Sequence, residues 1–137
     1  MSLEENKAVA RRWMEEIWQK ASPAAIDELL APNFVFNYPP PGVEGNREAY
    51  KQIVKDLFTG FPDLKWTTAD MVAEGDKVAV HWKGRGTHKG EWWGIPPTGK
   101  QATPSGISII RIAGGKLVEE AGYGNMGEMV QQLGASK

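Results

Sequence analysis

Few side chains in this 137-residue chain are suited to moving a proton or holding a carbonyl, and they gather in its second half. His88 sits in GTHKGE, Glu119 and Glu120 in LVEE, and Tyr123 and Asn125 in the AGYGN that follows. A histidine can carry a proton, and a carboxylate buried among apolar groups is driven toward neutrality, which suits general acid/base work. A tyrosine hydroxyl or an asparagine amide beside it can hold a carbonyl oxygen. His88, Tyr123, Glu120 and Asn125 are therefore the catalytic candidates. Each has a plainer role as well. His88 can order its own loop by bonding backbone carbonyls. Asn125 with Glu128 reads as a capping-box-like helix start. Glu119 and Glu120 read as a solvated or salt-bridged pair, one of which reaches a pocket rim.

Aromatic residues supply the second half of a possible site. The stretch GTHKGEWWGIPPTGK, residues 86–100, wraps Trp92 and Trp93 in glycine and proline. Large rings on a loop built to bend read as a wall across an apolar pocket, stiffened by the prolines. The chain has six tryptophans, so much aromatic surface must be buried in a core, a pocket or an interface. Trp66 and Trp82 lie on predicted strands and can extend the wall. Asn37 and Tyr38 end another strand. Being neighbours, they point to opposite faces, so one of the two faces inward.

Composition excludes several functions. A formal net charge of −1 gives no general attraction to nucleic acid or anionic lipid. With no cysteine and only His81 and His88, neither a disulfide nor a thiolate or histidine-rich metal site can form. The reading is of a protein without a metal site of that kind. The N-terminal MSLEENKAVARRW is charged and lacks the apolar run of a signal peptide. No stretch approaches the ~18 apolar residues of a membrane span. A soluble cytoplasmic protein is expected.

The elements that must position these residues form one domain over 1–137. Ser2 with Glu5, Ser22-Pro23 and Asn46 mark three helix starts. The second helix carries Ile26, Leu29 and Leu30, with Pro32 just past its end. FVFNY (34–38) reads as a strand stopped by PPPG (39–42). Then the period changes to two. Residues 64–73 and 77–87 are strands about an EGD turn, 101–112 is one strand, AGGK is a turn, and 117–124 is the last strand. Val78, Val80 and Trp82 share one face, and His81 takes the other. Residues 125–133 close the chain as a short helix. Helices followed by antiparallel strands predict an α+β fold: a curved antiparallel sheet closed by N-terminal helices into a cone with a cavity. Ile107 and Ile109 oppose Ile110 and Ile112 on one strand, so both sheet faces need cover. A homodimer through the outer face is expected.

LAPNFVFNYPPPGVEGNREAYK, FPDLKW, VAEGDKVAVHWKGRGTHKGEWWGIPPTGK and RIAGGKLVEE, followed by QQLG, resemble the SnoaL-like polyketide cyclase and ester cyclase family, of the nuclear-transport-factor-2-like superfamily. The resemblance runs in one order over residues 3–134. It implies a cone-shaped α+β barrel, commonly dimeric, that closes a ring by intramolecular aldol condensation without metal or cofactor. It also implies an aspartate on the last strand. In this chain Ala121, Gly122 and Asn125 occupy that segment, and Asn37 stands where many relatives have histidine. The implied function is a polyketide cyclase acting on a small apolar or aromatic carbonyl compound. The alternative is a binding or protein-interaction protein without catalysis.

Overall fold

The computed structural model describes residues 2–39 and 42–134; within the expected PPPG stop, Pro40 and Pro41 lie outside them. Ser2 opens helix α1 (Leu3–Arg12) with a complete capping box. Its hydroxyl accepts from Glu5 N at 3.1 Å, and its own N–H donates to the Glu5 carboxylate at 2.7 Å. The helix does not stop at Arg12 but widens into a π-helical segment, Trp13–Gln19. Lys20 N–H donates to the Glu15 carbonyl at 3.1 Å, five residues back. In an α-helix side chains five apart diverge by about 140°. The wider turn brings Trp13 and Trp18 onto one side. Helix α2 (Pro23–Leu29) is capped by Ser22 and α3 (Arg47–Gly60) by Asn46, as their sequences predict.

Strands β1 (Leu30–Asn37), β2 (Lys65–Glu74), β3 (Lys77–Thr87), β4 (Gln101–Ala102), β5 (Ser105–Ala113) and β6 (Lys116–Gly124) make one sheet in the order β1-β6-β5-β3-β2, with β4 pairing β3. Helix α4 (Met126–Gln132) follows. The antiparallel expectation holds from β2 to β6, but β1 joins β6 in parallel, so the sheet is mixed. Two boundaries differ from the sequence reading. Leu30 and Pro32 belong to β1, not to the end and aftermath of a helix. Proline is tolerated there because β1 is an edge strand. The single strand expected over 101–112 breaks at Thr103-Pro104, where proline has no N–H to give the ladder. Pro104 offers only its carbonyl, to Gly84 N at 2.7 Å. Extra residues in β2 and β6 bend the sheet. No helix among the described residues is long and apolar enough to cross a membrane.

Three rows cross the concave face of the sheet. Val78, Ile110, Glu120 and Phe36 are in register, as are Val80, Ser108 and Gly122, and then Trp82, Gly106 and Gly124. The last row explains two glycines. A Cβ at Gly106 would lie 2.5 Å from the Trp82 ring, and one at Gly124 2.7 Å from it. At Gly106 the backbone closes the space as well, since the same Cβ would lie 2.2 Å from the Tyr123 carbonyl oxygen. Gly106→Ala should therefore lower stability by about 1–3 kcal/mol, as overpacking does, measured by urea denaturation. An unchanged midpoint would show that both the ring and the Tyr123 backbone can give way.

Candidate active site

Glu120 is buried on the concave face, and a bulge puts it there. Between β5 and β6 the register steps from Ile112↔Leu117 to Arg111↔Glu119, so β6 spends one residue more than its partner. Val118 is the extra residue. In an unbulged strand counted by twos, Leu117, Glu119 and Tyr123 would share a face. With the bulge, Leu117 is buried, Glu119 turns outward, and Glu120, Gly122 and Gly124 line the cavity. Glu119 is held outside by Asn37, whose amide donates to it at 2.6 Å, and lies 3.6 Å from Arg111.

Two hydroxyls hold the Glu120 carboxylate. Tyr50 donates to Oε1 at 2.8 Å, and Ser108 donates to Oε2 at 2.8 Å. Both hydroxyls are themselves held by indoles. Trp13 Nε1 and Trp18 Nε1 donate to the Tyr50 oxygen at 3.0 and 3.1 Å, and Trp82 Nε1 donates to Ser108 Oγ at 2.9 Å. An indole nitrogen can only donate, and a phenolic oxygen has one proton and two lone pairs. Two indoles occupy the lone pairs, so the Tyr50 proton goes to Glu120. The π-helical segment is what allows this, since Trp13 and Trp18 are five residues apart. Its last residue, Gln19, secures the far edge: its amide accepts from Trp66 N at 3.0 Å and donates to the Trp66 carbonyl.

Burial pushes the Glu120 carboxyl up to about 7, against the smaller opposing pull of the Tyr50 and Ser108 hydrogen bonds. Tyr50 is driven well above its ordinary value, first by burial and then by the neighbouring charge of Glu120. Tyr50 therefore stays a donor, while Glu120 changes state near neutral pH.

The carboxylate faces a cavity of about 390 Å³ lined almost wholly by apolar and aromatic groups. Trp13, Trp18, Trp66, Trp82, Trp92 and Trp93 all contribute, so every tryptophan of the chain reaches it. Ser108 and Glu120 are the polar exceptions apart from the Tyr38 hydroxyl. Gly122 keeps the floor open: a Cβ there would meet Ser108 Oγ at 3.1 Å and Glu120 Oε2 at 3.3 Å. No group of three or more metal-ligating side chains occurs among the described residues.

Of the residues singled out by sequence, Glu120, Tyr38, Trp66, Trp82, Trp92 and Trp93 line this cavity. Four do not. Tyr123 faces outward and is 60% exposed, its ring 5.0 Å from that of Tyr38. Asn37 is on the same outer face, bound to Glu119. His88 is buried behind the wall, stacked on Phe61, with Nδ1 bonded to the Thr98 hydroxyl and backbone N–H. It orders the loop. Asn125 accepts from Ser105 N at 2.8 Å and donates to Glu128 and to the Thr103 carbonyl, tying α4 to the chain between β4 and β5. It makes no side-chain cap of α4. Sequence reasoning missed Tyr50, Ser108, Trp13 and Trp18 as site residues. In the sequence Trp13 falls in an apolar stripe with Val9 and Ile17, and Tyr50 in one with Ile53, Val54 and Leu57, which reads simply as the buried face of each helix.

The raised carboxyl makes stability depend on pH. Burial raises folded Glu120 to about 7, against an ordinary 4.5. The folded state therefore holds its proton more tightly. This contribution is fully present below the ordinary value and is lost as pH rises through about 7. Wild type should lose roughly 3 kcal/mol on this account between pH 4.5 and 8, and Glu120→Gln should lack that slope. Urea titrations at pH 5 and pH 8 test it; parallel slopes in the two proteins would refute the burial argument. Tyr50→Phe should cost about 2–5 kcal/mol, because it strands the buried Trp13 N–H and the half-buried Trp18 N–H. It should also raise the Glu120 titration further, by removing a bond to the charged form.

The comparisons agree with this architecture. No curated protein matches the chain in sequence. TsrD from Streptomyces laurentii superposes with a TM-score of 0.87 at 24% identity, over 99% of each chain, a likeness of fold. AclR, a candidate hydroxylase from Streptomyces galilaeus, gives 0.85 at 27% identity, over 99% of this chain and 89% of its own. A candidate polyketide cyclase from Acidithiobacillus ferrooxidans gives 0.82 at 29% identity, over the full length of both. The model of the SnoaL-like polyketide cyclase family matches residues 8–133, and with that match spanning nearly all of a sheet and helix set of the nuclear-transport-factor-2-like kind, the chain belongs to the SnoaL-like polyketide cyclase family.

Proposed function

We propose that this protein is a cofactor-independent acid/base catalyst, a polyketide cyclase, that acts on a small aromatic or largely apolar carbonyl compound, with Glu120 as the proton-transfer group. The observation that carries this reading is one buried carboxylate, titrating at about 7, in the wall of an otherwise apolar cavity. A general base works best when its pKa lies near the working pH. The ionised carboxylate takes a proton from the carbon beside a carbonyl, and the C–H electrons pass into an enolate. That carbon attacks a second carbonyl of the same molecule. The new alkoxide then recovers the proton from Glu120, and the ring is closed. Tyr50 and Ser108 hold the carboxylate still through both transfers. The aromatic walls exclude water, which would otherwise quench the enolate.

A second reading, binding without turnover, draws on the neutral residues at Gly122 and Asn125, where the family resemblance implies an aspartate. Exchange at carbon separates the two. With 2-tetralone as the probe ketone, wild type should speed α-proton exchange into D2O, followed by NMR. The rate should rise as pH passes through about 7, because the base is the ionised form. Glu120→Gln should lose the acceleration by about 100-fold or more. Equal exchange in both proteins would remove Glu120 from the chemistry.

The same reading includes a second copy of the chain. The convex face exposes Val35, Val72, Ile107, Ile109 and Tyr123, which is apolar surface that sheets seldom leave to water. A homodimer burying on the order of 1,200–2,000 Å² would cover it. Light scattering should give about twice the chain mass at micromolar concentration, and a monomer would exclude it. The cysteine-free sequence fits work in the cytoplasm.

A further inference from the structure

The two tryptophans of the cavity wall differ in a way their sequence does not disclose. Trp92 is buried and packs edge-on against Phe61, with ring centroids 5.4 Å apart. Gly60, at the end of α3, leaves it room, since a Cβ there would lie 2.7 Å from the Trp92 Cβ. Trp92 is anchored. Trp93 is 48% exposed and touches the rest of the wall by lying flat on Trp92, 4.4 Å apart and 16° from parallel.

Trp93 also carries an unfavourable backbone. Trp92 N donates to the Ile95 carbonyl at 3.1 Å, and Ile95 N donates to the Trp92 carbonyl at 2.9 Å. That reciprocal pair closes a two-residue turn over Trp93 and Gly94, whose φ angles are +52° and +76°. Two positive φ values define the hairpin turn whose preferred first residue is asparagine. A bulky residue in the left-handed region is strained. Stiff footings hold the turn from both sides. The Gly60 carbonyl accepts from Lys89 N and Gly90 N at 3.0 and 3.1 Å, and His88 binds Lys100 and Gly99 through its backbone at 2.9 and 2.8 Å. A tryptophan that is strained and half-exposed contributes little to folding where it stands. Trp93 nevertheless lines the cavity beside Trp92.

We infer that Trp93 is the specificity-determining residue of the cavity: its ring, presented by this turn against the fixed Trp92, is the platform on which a planar aromatic part of the substrate stacks. The inference deepens the proposed function and rests on the cavity being the ligand site. Stacking selects by flatness, because a puckered ring of equal size cannot lie against an indole face. The strain belongs to the position, so residues that accept a positive φ should fold there as well as tryptophan does.

The test uses the full chain as wild type, Trp93→Asn and Trp93→Phe, with two bicyclic probes, planar 2-naphthol and puckered 2-decalone, titrated by calorimetry. Wild type should favour 2-naphthol. Trp93→Asn should weaken 2-naphthol by about tenfold and leave 2-decalone nearly unchanged. Trp93→Phe, which keeps a ring, should recover most of the 2-naphthol affinity. The melting temperature of Trp93→Asn should be unchanged or raised. Three results would overturn the inference: equal loss of both probes, no loss of either, or a melting temperature lowered by more than about 4 °C. If wild type binds neither probe, the ligand-site reading fails with it. If wild type binds both and Trp93→Asn binds them equally well, the platform alone fails.

Discussion

The Tyr50 hydroxyl has one proton to give and two lone pairs to fill. Trp13 and Trp18 fill the lone pairs, so the proton has a single destination, Glu120. Much of the molecule follows from that restriction. The first helix must widen after Arg12, because an α-helical turn would point the two indoles apart. Helix α3 must bring Tyr50 across from the other side, where Phe34 and Phe36 meet its ring edge-on at 5.4 and 5.3 Å. The last strand must turn its glutamate inward. Ser108, steadied by Trp82, completes the set from the sheet side. The carboxylate thus meets donors from two directions, and its remaining lone pairs are left toward the cavity.

This arrangement reconciles two demands that usually conflict. A carboxylate must be dry to titrate near neutrality, yet a dry charge is costly without partners. Neutral donors resolve the conflict by degree. Arginine or lysine beside Glu120 would hold the charge outright and carry the titration down. Hydroxyls backed by indoles stabilise the charge less, so desolvation still dominates. The aromatic residues therefore do two jobs. Their faces make the cavity apolar, and the N–H groups of three of them hold the two hydroxyls that donate to the carboxylate.

Helix starts, the β2–β3 turn and four of the six cavity tryptophans, Trp66, Trp82, Trp92 and Trp93, were legible in the sequence, whereas Trp13 and Trp18 were not. Ser2 with Glu5, Ser22 with Pro23 and Asn46 act over three residues. The break at Pro104 was legible in principle, since proline interrupts a central ladder. The site itself was harder. Counting by twos from Leu117 places Tyr123 inside and Glu120 outside, and one bulged residue at Val118 reverses the whole set. Nothing local marks that bulge. It becomes visible only when β6 is paired with β5 and β1 together. Tyr50 was hidden for a related reason: a helix stripe shows that a residue is buried, not which hydroxyl it will meet. His88 was legible in its plainer role of ordering its loop, which it does through Thr98. Asn125 was not: the cap read from Asn125 and Glu128 is not made, because its amide oxygen accepts from Ser105, far back in the chain.

The bare floor at Gly122 bears on how such a chain can change over descent. Its missing Cβ would point at the Glu120 carboxylate and the Ser108 hydroxyl, both within 3.4 Å. Any acid placed at 122 would therefore share protons with Glu120, and the two would titrate as a pair. The strand can carry its acid at either inward position, but it cannot carry both without each altering the other. A lineage that moves the acid by one pleat must pass through a form with two coupled carboxylates, or through a form with none. The second kind is an aromatic cup with no acid in its wall, and a single step along one strand separates it from the present arrangement.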